Sequence, residues 1–307
     1  MDKRAQFFID DVIWLFRDLA RQRPASLFDN SFMAMLKEAH DKYGLKVQLN
    51  VFYRTSFWYG IDEFTLAEMP DCYKAEFESA DWIKFGFHSL EEFPDYPFVN
   101  ADYAEVDTLF KKIKAEVVRF AGEQSWANSV TPHWAPISKE GILALRDNGI
   151  KVTYTTRGER KEWNGDMQSL PYGHAMRLLQ NRKPETGVFT CAWRDKSIAD
   201  SICAYNHVSE ERYAAAVGKW ATIPDEETGM QYTVSVSTTL NLTPLADLKE
   251  KIGQNIGDEY ISIATHEQYY YPDYFAYQPD YADKLFVMSE LLHENGYRFV
   301  FAEELAD

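Results

Sequence analysis

The sequence predicts an α/β fold with a mostly parallel sheet, either open or closed into a barrel. Two observations support this class. Segments rich in β-branched and aromatic residues alternate with helical segments, and the helical segments begin and end at residues typical of helix caps. With 307 residues and a hydrophobic content of 46%, the chain can bury the core of one large domain, and we expect residues 1–307 to form it.

The first predicted strand lies in FFIDDVIWLF, residues 7–16, an apolar segment interrupted by two acidic residues. A helix is predicted from Ser31 to Gly44, because glycine is a common residue just after a helix, and the alternating strand KVQLNVFY follows it. The remaining predicted elements are, in chain order, the strand DWIKFGFH, a helix from Asn100 to Gly122, the strand WANSVTPHW, the helix SKEGILALRDNG, the strand IKVTYTT, a hairpin around Gly229, the strand EYISIATH, a helix from Pro279 to Gly296 and the strand YRFVFAEEL.

Residues 157–217 interrupt this alternation of strands and helices. The segment contains many glycine, proline, asparagine and charged residues, and it is too long for an ordinary connection between two elements. We therefore expect an insertion with some structure of its own inside the single domain.

The composition excludes several classes of partner. A formal net charge of −16 and an isoelectric point near 4.9 argue against nucleic acid and anionic membranes, since both are bound by concentrated lysine and arginine. The sequence has no apolar run long enough to cross a membrane and no secretion signal at residue 1, so we expect a cytoplasmic protein. A small molecule or an oligosaccharide is the expected partner, and a homo-oligomer is left open.

Polar residues recur at one end of the predicted strands. Asp10 and Asp11 follow FFI, His88 follows IKFGF, His133 follows NSVTP, and His266 follows ISIAT. The carboxyl ends of parallel strands share one face, where α/β proteins build their active sites. Each residue alone is compatible with a structural role in a turn or a hydrogen bond. Their shared position predicts that two carboxylates and three imidazoles meet at one rim.

Aspartate and histidine together suit a divalent metal ion such as zinc, although manganese, cobalt, nickel and iron also accept these ligands. The spacing of His88 and Glu92 adds to this, because residues four apart lie on one face of a helical turn and could share an ion. Glu91 and Glu92 could instead be a solvated pair at the start of a helix. The expected cofactor is one divalent metal ion, with zinc as the first choice.

The order of these motifs resembles that of the polysaccharide deacetylase family, within the wider glycoside hydrolase/deacetylase superfamily. The resemblance runs from FFIDDV to VFAEEL, apart from the insertion. It implies a distorted (β/α) barrel of about seven mostly parallel strands and the activity of a metal-dependent hydrolase.

By this resemblance, Asp10 is the general base and Asp11 is a metal ligand. The family's His-Ser/Thr-x-x-His motif is similar to HSLEE, with His88 as a metal ligand and Glu92 in place of the second histidine. The family's last motif, a hydrophobic strand that ends in the general acid, is similar to ISIATH and assigns this role to His266.

The family's Arg-Pro-Pro-Tyr/Trp-Gly segment is similar to TPHWA, in which Pro132 and Trp134 are kept. Thr131 stands in place of the arginine that orients the catalytic base, and His133 stands in place of the second proline. Trp134 and His133 are the expected substrate-binding residues. His133 could alternatively replace the missing histidine as the third metal ligand.

The predicted function is metal-assisted hydrolysis of an acyl C–N or C–O bond, with removal of an N-acetyl group from a carbohydrate or related small substrate as the leading reaction. Two alternatives remain open. Glu92 and Thr131 favour a catalytically silent carbohydrate-binding barrel. The missing secretion signal favours hydrolysis of a cyclic amide or another non-sugar C–N bond.

Overall fold

The structure is a computed structural model that describes residues 2–56, 63–93, 97–98, 101–134, 137–154, 210–233 and 236–306. Its strands are β1 (Lys3–Val12), β2 (Val47–Phe52), β3 (Ile83–Ser89), β4 (Ser129–Val130), β5 (Val152–Tyr154), β6 (Ile223–Pro224), β7 (Gln231–Thr233), β8 (Thr238–Thr239), β9 (Tyr260–His266) and β10 (Tyr297–Phe299). Its α-helices are α1 (Trp14–Gln22), α2 (Ser31–Tyr43), α3 (Lys74–Ser79), α4 (Tyr103–Ala121), α5 (Lys139–Asp147), α6 (Glu210–Ala216), α7 (Leu245–Gly253) and α8 (Tyr281–Glu294).

These strands form two sheets. The first has the order β3-β2-β1-β9-β8, with β10 paired to the start of β1, and every pairing in it is parallel. The second has the order β4-β5-β7-β6 and is parallel except for the β6–β7 hairpin, which turns at Gly229 as predicted. The two sheets meet just before β4, where the backbone N–H of Ala127 donates to the carbonyl of Phe85 at 2.8 Å.

The predicted α/β class and the mostly parallel sheet are confirmed. A closed barrel of about seven strands is not seen among the described residues, because closure requires continuous pairing around the ring and the strands divide between two sheets. The edge strands β4, β6 and β8 are each two residues long, so their hydrogen-bonded pairing is too short to connect one sheet to the other.

Strand β1 lies in the middle of the first sheet, between β2 and β9, and its last eight residues are buried. Helix α4 packs on this sheet through one apolar face, formed by Val106, Phe110, Ile113, Val117 and Phe120. The ring of Phe120 lies 5.0 Å from that of Phe16 and 6.2 Å from that of Phe85. Burial of one phenylalanine side chain stabilises a fold by about 1.5–3 kcal/mol, so this aromatic contact holds α4 against β3.

Two helices start at different caps from those predicted. Helix α2 is capped by Asn30, whose side chain accepts hydrogen bonds from two backbone N–H groups of the first turn. Helix α4 is capped by Asp102, because its carboxylate accepts the N–H three residues later, whereas the predicted cap Asn100 lies outside the described residues. Gly44 and Gly122 follow the ends of these helices as predicted, both with positive φ.

Most of the predicted insertion, residues 157–209, lies outside the described residues. The part that the structure describes contains α6, so an insertion with its own structure stays a prediction, as does the single domain of residues 1–307. In the described ranges, no helix combines the length and the apolar composition needed to cross a membrane.

Candidate active site

A bulge at the carboxyl end of β1 presents Asp10 and Asp11 together. The register of β1 against β2 shifts between Ile9 and Val12, so both acidic residues stand opposite the single residue Asn50 of β2. Asp11 has a φ of 64°, a left-handed conformation that costs a non-glycine residue about 1–3 kcal/mol. The bulge interrupts the usual alternation of a strand, and it therefore brings two consecutive carboxylates to one site.

Glu267 holds the turn that follows the bulge. Its carboxylate accepts hydrogen bonds from the backbone N–H groups of Ile13, Trp14 and Leu15 at 2.7, 2.8 and 2.7 Å, at the N-terminus of α1. The cap residue Ile13 has no polar side chain, so a carboxylate from the turn after β9 satisfies these donors instead. Burial raises the pKa of Glu267 to about 8, against the three N–H donors, which favour the ionised form.

Asp11, His88 and His133 meet in one buried cluster. Oδ1 of Asp11 lies 3.0 Å from Nε2 of His88 and 3.4 Å from Nδ1 of His133. The two ring nitrogens are 3.1 Å apart. One ligand atom from each residue lies within 4.8 Å of the others, so the three residues could hold a metal ion. They come from the ends of β1 and β3 and from the segment after β4.

The outer nitrogen of each imidazole is fixed as a hydrogen-bond donor. Nδ1 of His88 lies 2.5 Å from the carbonyl oxygen of Thr131, and Nε2 of His133 lies 2.9 Å from the carbonyl oxygen of Glu92. Because a carbonyl oxygen only accepts, these nitrogens carry the ring protons. In neutral rings the inner nitrogens present lone pairs to each other and to Asp11, which is a donor set suited to a divalent cation.

The pKa values of Asp11 and His133 also show that the cluster favours a positive charge. Burial opposes ionisation of Asp11, but hydrogen bonds with His133 and His88 outweigh it and hold the pKa of Asp11 well below its ordinary value. Burial also disfavours the charged form of His133, but the hydrogen bond and the charge of Asp11 raise its pKa to about 9. Asp11 is therefore ionised at neutral pH, and His133 binds a proton when no metal ion is bound.

Gln268 orients the second oxygen of Asp11. Its side-chain amide donates to Oδ2 of Asp11 at 2.7 Å, which leaves Oδ1 facing His88. Gln268 follows Glu267 directly, so one short turn after β9 holds both Asp11 and the start of α1. Partners of this kind orient the ligands of many metal sites.

Glu92 occupies a different place from the one its spacing suggests. Among the described residues, the cluster of possible metal ligands contains His133 and not Glu92, which contributes its backbone carbonyl to His133. Residues 90–92 form a bend, so the helical face that would join Glu92 to His88 is not formed. A solvated Glu91–Glu92 pair is wrong, because both side chains are buried and Glu91 accepts a hydrogen bond from Arg54 at 2.9 Å.

Asp10 and His266 lie side by side, as register partners at the ends of β1 and β9. Burial raises the pKa of Asp10, partly offset by the charges of His88 and His266. Oδ1 of Asp10 accepts a hydrogen bond from the amide of Asn50 at 2.7 Å. Nδ1 of His266 lies 3.0 Å from Oδ1 of Asn241, an oxygen that only accepts, so the proton that this ring exchanges is on Nε2.

Trp134 lies next to the cluster in a strained backbone conformation, with a φ of 67°. Its half-buried ring meets the ring of His133 edge to face, with centroids 5.8 Å apart. A partly exposed indole beside the cluster is compatible with the predicted contact to substrate, which stays a prediction.

Four contributing residues were not predicted from the sequence: Asn50, Asn241, Glu267 and Gln268. For three of them, a feature of the sequence could have indicated a role in the site. Asn50 is a polar residue within a strand that is buried along its whole length, and Glu267 and Gln268 directly follow the strand that ends in His266. No feature of the sequence indicates Asn241, because it contacts His266 from 25 positions away.

No protein-family model and no curated protein matches the chain. Among solved structures, the 4-α-glucanotransferase from Thermococcus litoralis matches with a TM-score of 0.54 and 11% identity, over 99% of this chain and 40% of that chain. A family 4 acetyl xylan esterase from Clostridium thermocellum, in complex with a cobalt ion, matches with a TM-score of 0.42 and 14% identity, over 99% of this chain and 90% of that chain.

The Xyl-CE4 domain of a multidomain xylanase from the hindgut metagenome of Trinervitermes trinervoides matches with a TM-score of 0.38 and 10% identity, again over 99% of this chain and 90% of that chain. Both esterase TM-scores are too low to establish a shared fold. The match to the glucanotransferase shows a shared fold, and at 11% identity it shows nothing about activity.

Proposed function

We propose that this protein is a metal-dependent hydrolase that removes an acyl group, most simply an N-acetyl group, from a carbohydrate or a related small substrate. The Asp11, His88 and His133 cluster carries the proposal, because two imidazole nitrogens and a carboxylate converge there in a buried position. Asp10 and His266, which can move protons, lie beside it at the ends of β1 and β9.

The donor set fits a divalent ion. Asp11, His88 and His133 would hold it through one oxygen and two nitrogens, a combination that zinc accepts readily and that cobalt, nickel, manganese and iron also tolerate. When bound, such an ion supplies Lewis-acid polarisation of the acyl carbonyl and lowers the pKa of a nearby water. Glu92 supports the site by holding the ring of His133 through its carbonyl.

Asp10 is the proposed general base. Its ionised carboxylate takes a proton from water as the water oxygen bonds to the acyl carbon. Oδ1 of Asp10 lies 3.8 Å from Nδ1 of His88, so the base stands next to the proposed metal ligands.

His266 is the proposed general acid. Its protonated Nε2 donates to the leaving nitrogen as the acyl C–N bond breaks, which releases acetic acid and the free amine. The hydrogen bond from Nδ1 to Asn241 fixes the plane of the ring for this transfer. A proton returned to solvent from Asp10 and one taken up by His266 restore the starting state.

An acylated sugar is the proposed substrate because the ordered motifs around Asp10, His88, Trp134 and His266 resemble those of polysaccharide deacetylases. Trp134 offers an aromatic surface of the kind that packs on a sugar ring. We propose a small or oligomeric acylated sugar as the substrate.

The test measures acetate release by zinc-loaded protein from N-acetylated monosaccharides and oligosaccharides, with small cyclic amides as a parallel panel. We expect hydrolysis of acetylated sugars, and a loss of about 10²–10⁴-fold in Asp10→Asn with metal content unchanged. The matched variant Asp71→Asn, at an exposed acid, should keep full activity. Hydrolysis of cyclic amides alone would contradict the substrate class, and sugar binding without hydrolysis would favour a catalytically silent carbohydrate-binding protein.

A further inference from the structure

Hydrogen bonds connect the buried polar face of β2 to Asp10. Oγ of Ser129 donates to Oε1 of Gln48 at 2.7 Å, and Nε2 of Gln48 donates to Oδ1 of Asn50 at 2.8 Å. Nδ2 of Asn50 donates in turn to Oδ1 of Asp10 at 2.7 Å. Gln48, Asn50 and Ser129 are fully buried, so water does not compete for these bonds.

The order of donors and acceptors determines which way each amide faces. Nε2 of Gln48 also donates to the backbone carbonyl of Ser129 at 3.1 Å, so reversing this amide would place two oxygens against each other. The oxygen of Asn50 therefore faces Gln48, and its NH2 group faces Asp10. As a result, Oδ1 of Asp10 is held as an acceptor, and Oδ2 is the oxygen that takes up a proton.

Gly86 of β3 leaves space for both amides. It stands opposite Asn50 in the register of β2 and β3. A Cβ atom at this position would lie 2.6 Å from Nε2 of Gln48 and closer still to Oδ1 of Asn50. Any larger residue would therefore displace the amides, and the glycine is required for space at a close approach of side chains.

We propose that Asn50 is a positioning residue that aims the carboxylate of Asp10, and that Gln48, Ser129 and the space beside Gly86 hold Asn50 in place. The proposal rests on the proposed function, in which Asp10 is the general base. A misplacement of about 1 Å at a reacting group can cost about 10²-fold in rate. A carboxylate of Asp10 that is no longer oriented by Asn50 should therefore lower kcat.

The first test compares Asn50→Leu with Gln6→Leu in the metal-loaded full-length protein. Both changes replace a buried amide of the first sheet by an apolar side chain of similar size, but Gln6 contacts Tyr260 and not Asp10. We expect kcat on an N-acetylated sugar to fall about 10²-fold in Asn50→Leu, with KM changed less than about threefold, and to stay near wild type in Gln6→Leu. Metal content should be the same in both variants.

A second test disturbs the network without removing Asn50. Gly86→Ala should push the amide of Asn50 away from Asp10 and lower kcat about tenfold. In an Asn50→Ala background the new methyl group still displaces Gln48, but no amide at position 50 remains to pass this displacement to Asp10, so Gly86→Ala should have little further effect on kcat. Fully additive losses would contradict a path through Asn50.

The proposal is overturned if Asn50→Leu keeps the wild-type kcat, or if Asn50→Leu and Gln6→Leu lose it equally. Crystal structures of the variants test the positioning role of Asn50 separately from the proposed function. We expect the carboxylate of Asp10 to rotate in Asn50→Leu whether or not a substrate is hydrolysed, and an unchanged orientation would refute the positioning role. A wild-type protein that binds metal but hydrolyses no acylated substrate would refute the proposed function alone.

Discussion

Nε2 of His88 and Nδ1 of His133 lie 3.1 Å apart, and the other nitrogen of each ring donates to a backbone carbonyl. Neutral rings in these orientations place two lone pairs against each other, beside the carboxylate of Asp11. Groups of like partial charge this close in a buried site require a positive charge near them, which a proton or a divalent ion supplies. When no metal ion is bound, a proton on His133 supplies this positive charge, because the pKa of His133 is raised to about 9.

The general acid can be tested separately from the metal site. His266→Ala should lower kcat by about 10²–10⁴-fold, because the leaving nitrogen would depart without a proton, while metal content stays unchanged. Asn241→Ala should lower kcat less, since the ring of His266 loses its orientation and keeps its chemistry. The control is His40→Ala, whose ring stacks on Trp82 away from the site. Full turnover by His266→Ala would refute the assignment of the acid.

Gln268 should tune metal affinity. Gln268→Leu removes the hydrogen bond to Oδ2 of Asp11, and the freed carboxylate should weaken zinc binding about 10–100-fold. Competition with a chromophoric chelator measures this affinity, and Gln6→Leu provides a control at another buried amide. Equal zinc affinity in the two variants would show that Asp11 needs no such partner.

Glu267 should make folding stability depend on pH. Its pKa is raised from 4.5 to about 8 in the folded protein, so across this range the folded state binds more protons than the unfolded state. The free energy of unfolding should therefore fall as pH rises towards 8 and level off above it. Glu267→Gln removes this dependence, and the difference between wild type and variant should change by a few kcal/mol, at about 1.4 kcal/mol per pKa unit.

Urea unfolding of wild type and Glu267→Gln at several pH values between about 5 and 9 checks this expectation. A difference that stays constant over the range would mean that the three backbone N–H donors keep Glu267 ionised throughout. That outcome would refute the raised pKa and leave the contact between Glu267 and α1 intact.

Residue pattern alone predicted the parallel sheet and the position of Asp10, Asp11, His88 and His266 at strand ends. The alternation of strands and helices is a local property, and parallel pairing brings the carboxyl ends of strands together whatever the loops do. The same reasoning placed His133 at this rim and offered it as an alternative third ligand, but it could not choose between His133 and Glu92, because that choice depends on the backbone path of the TPHW segment after β4.

A comparison of motifs could not predict the hydrogen-bond partner of Asp10 either. Thr131 stands where the resembled family has an arginine that orients the base, and this left no evident partner in the sequence. The structure supplies Asn50 from a neighbouring strand, across the bulge at Asp11. A bulge shifts side chains between faces without any fixed sequence signature, so the pairing of Asn50 with Asp10 becomes visible only in three dimensions.

The central claim is that Asp11, His88 and His133 hold a divalent ion, and its most direct test is metal content by elemental mass spectrometry. We expect about one zinc ion per chain in the wild type and in Glu92→Gln, which keeps the carbonyl that holds His133. His133→Ala and His88→Ala should lose it while melting at temperatures that show a folded chain. Absence of metal from the wild type after incubation with zinc, cobalt, nickel and manganese would contradict the claim, and so would loss in Glu92→Gln alone.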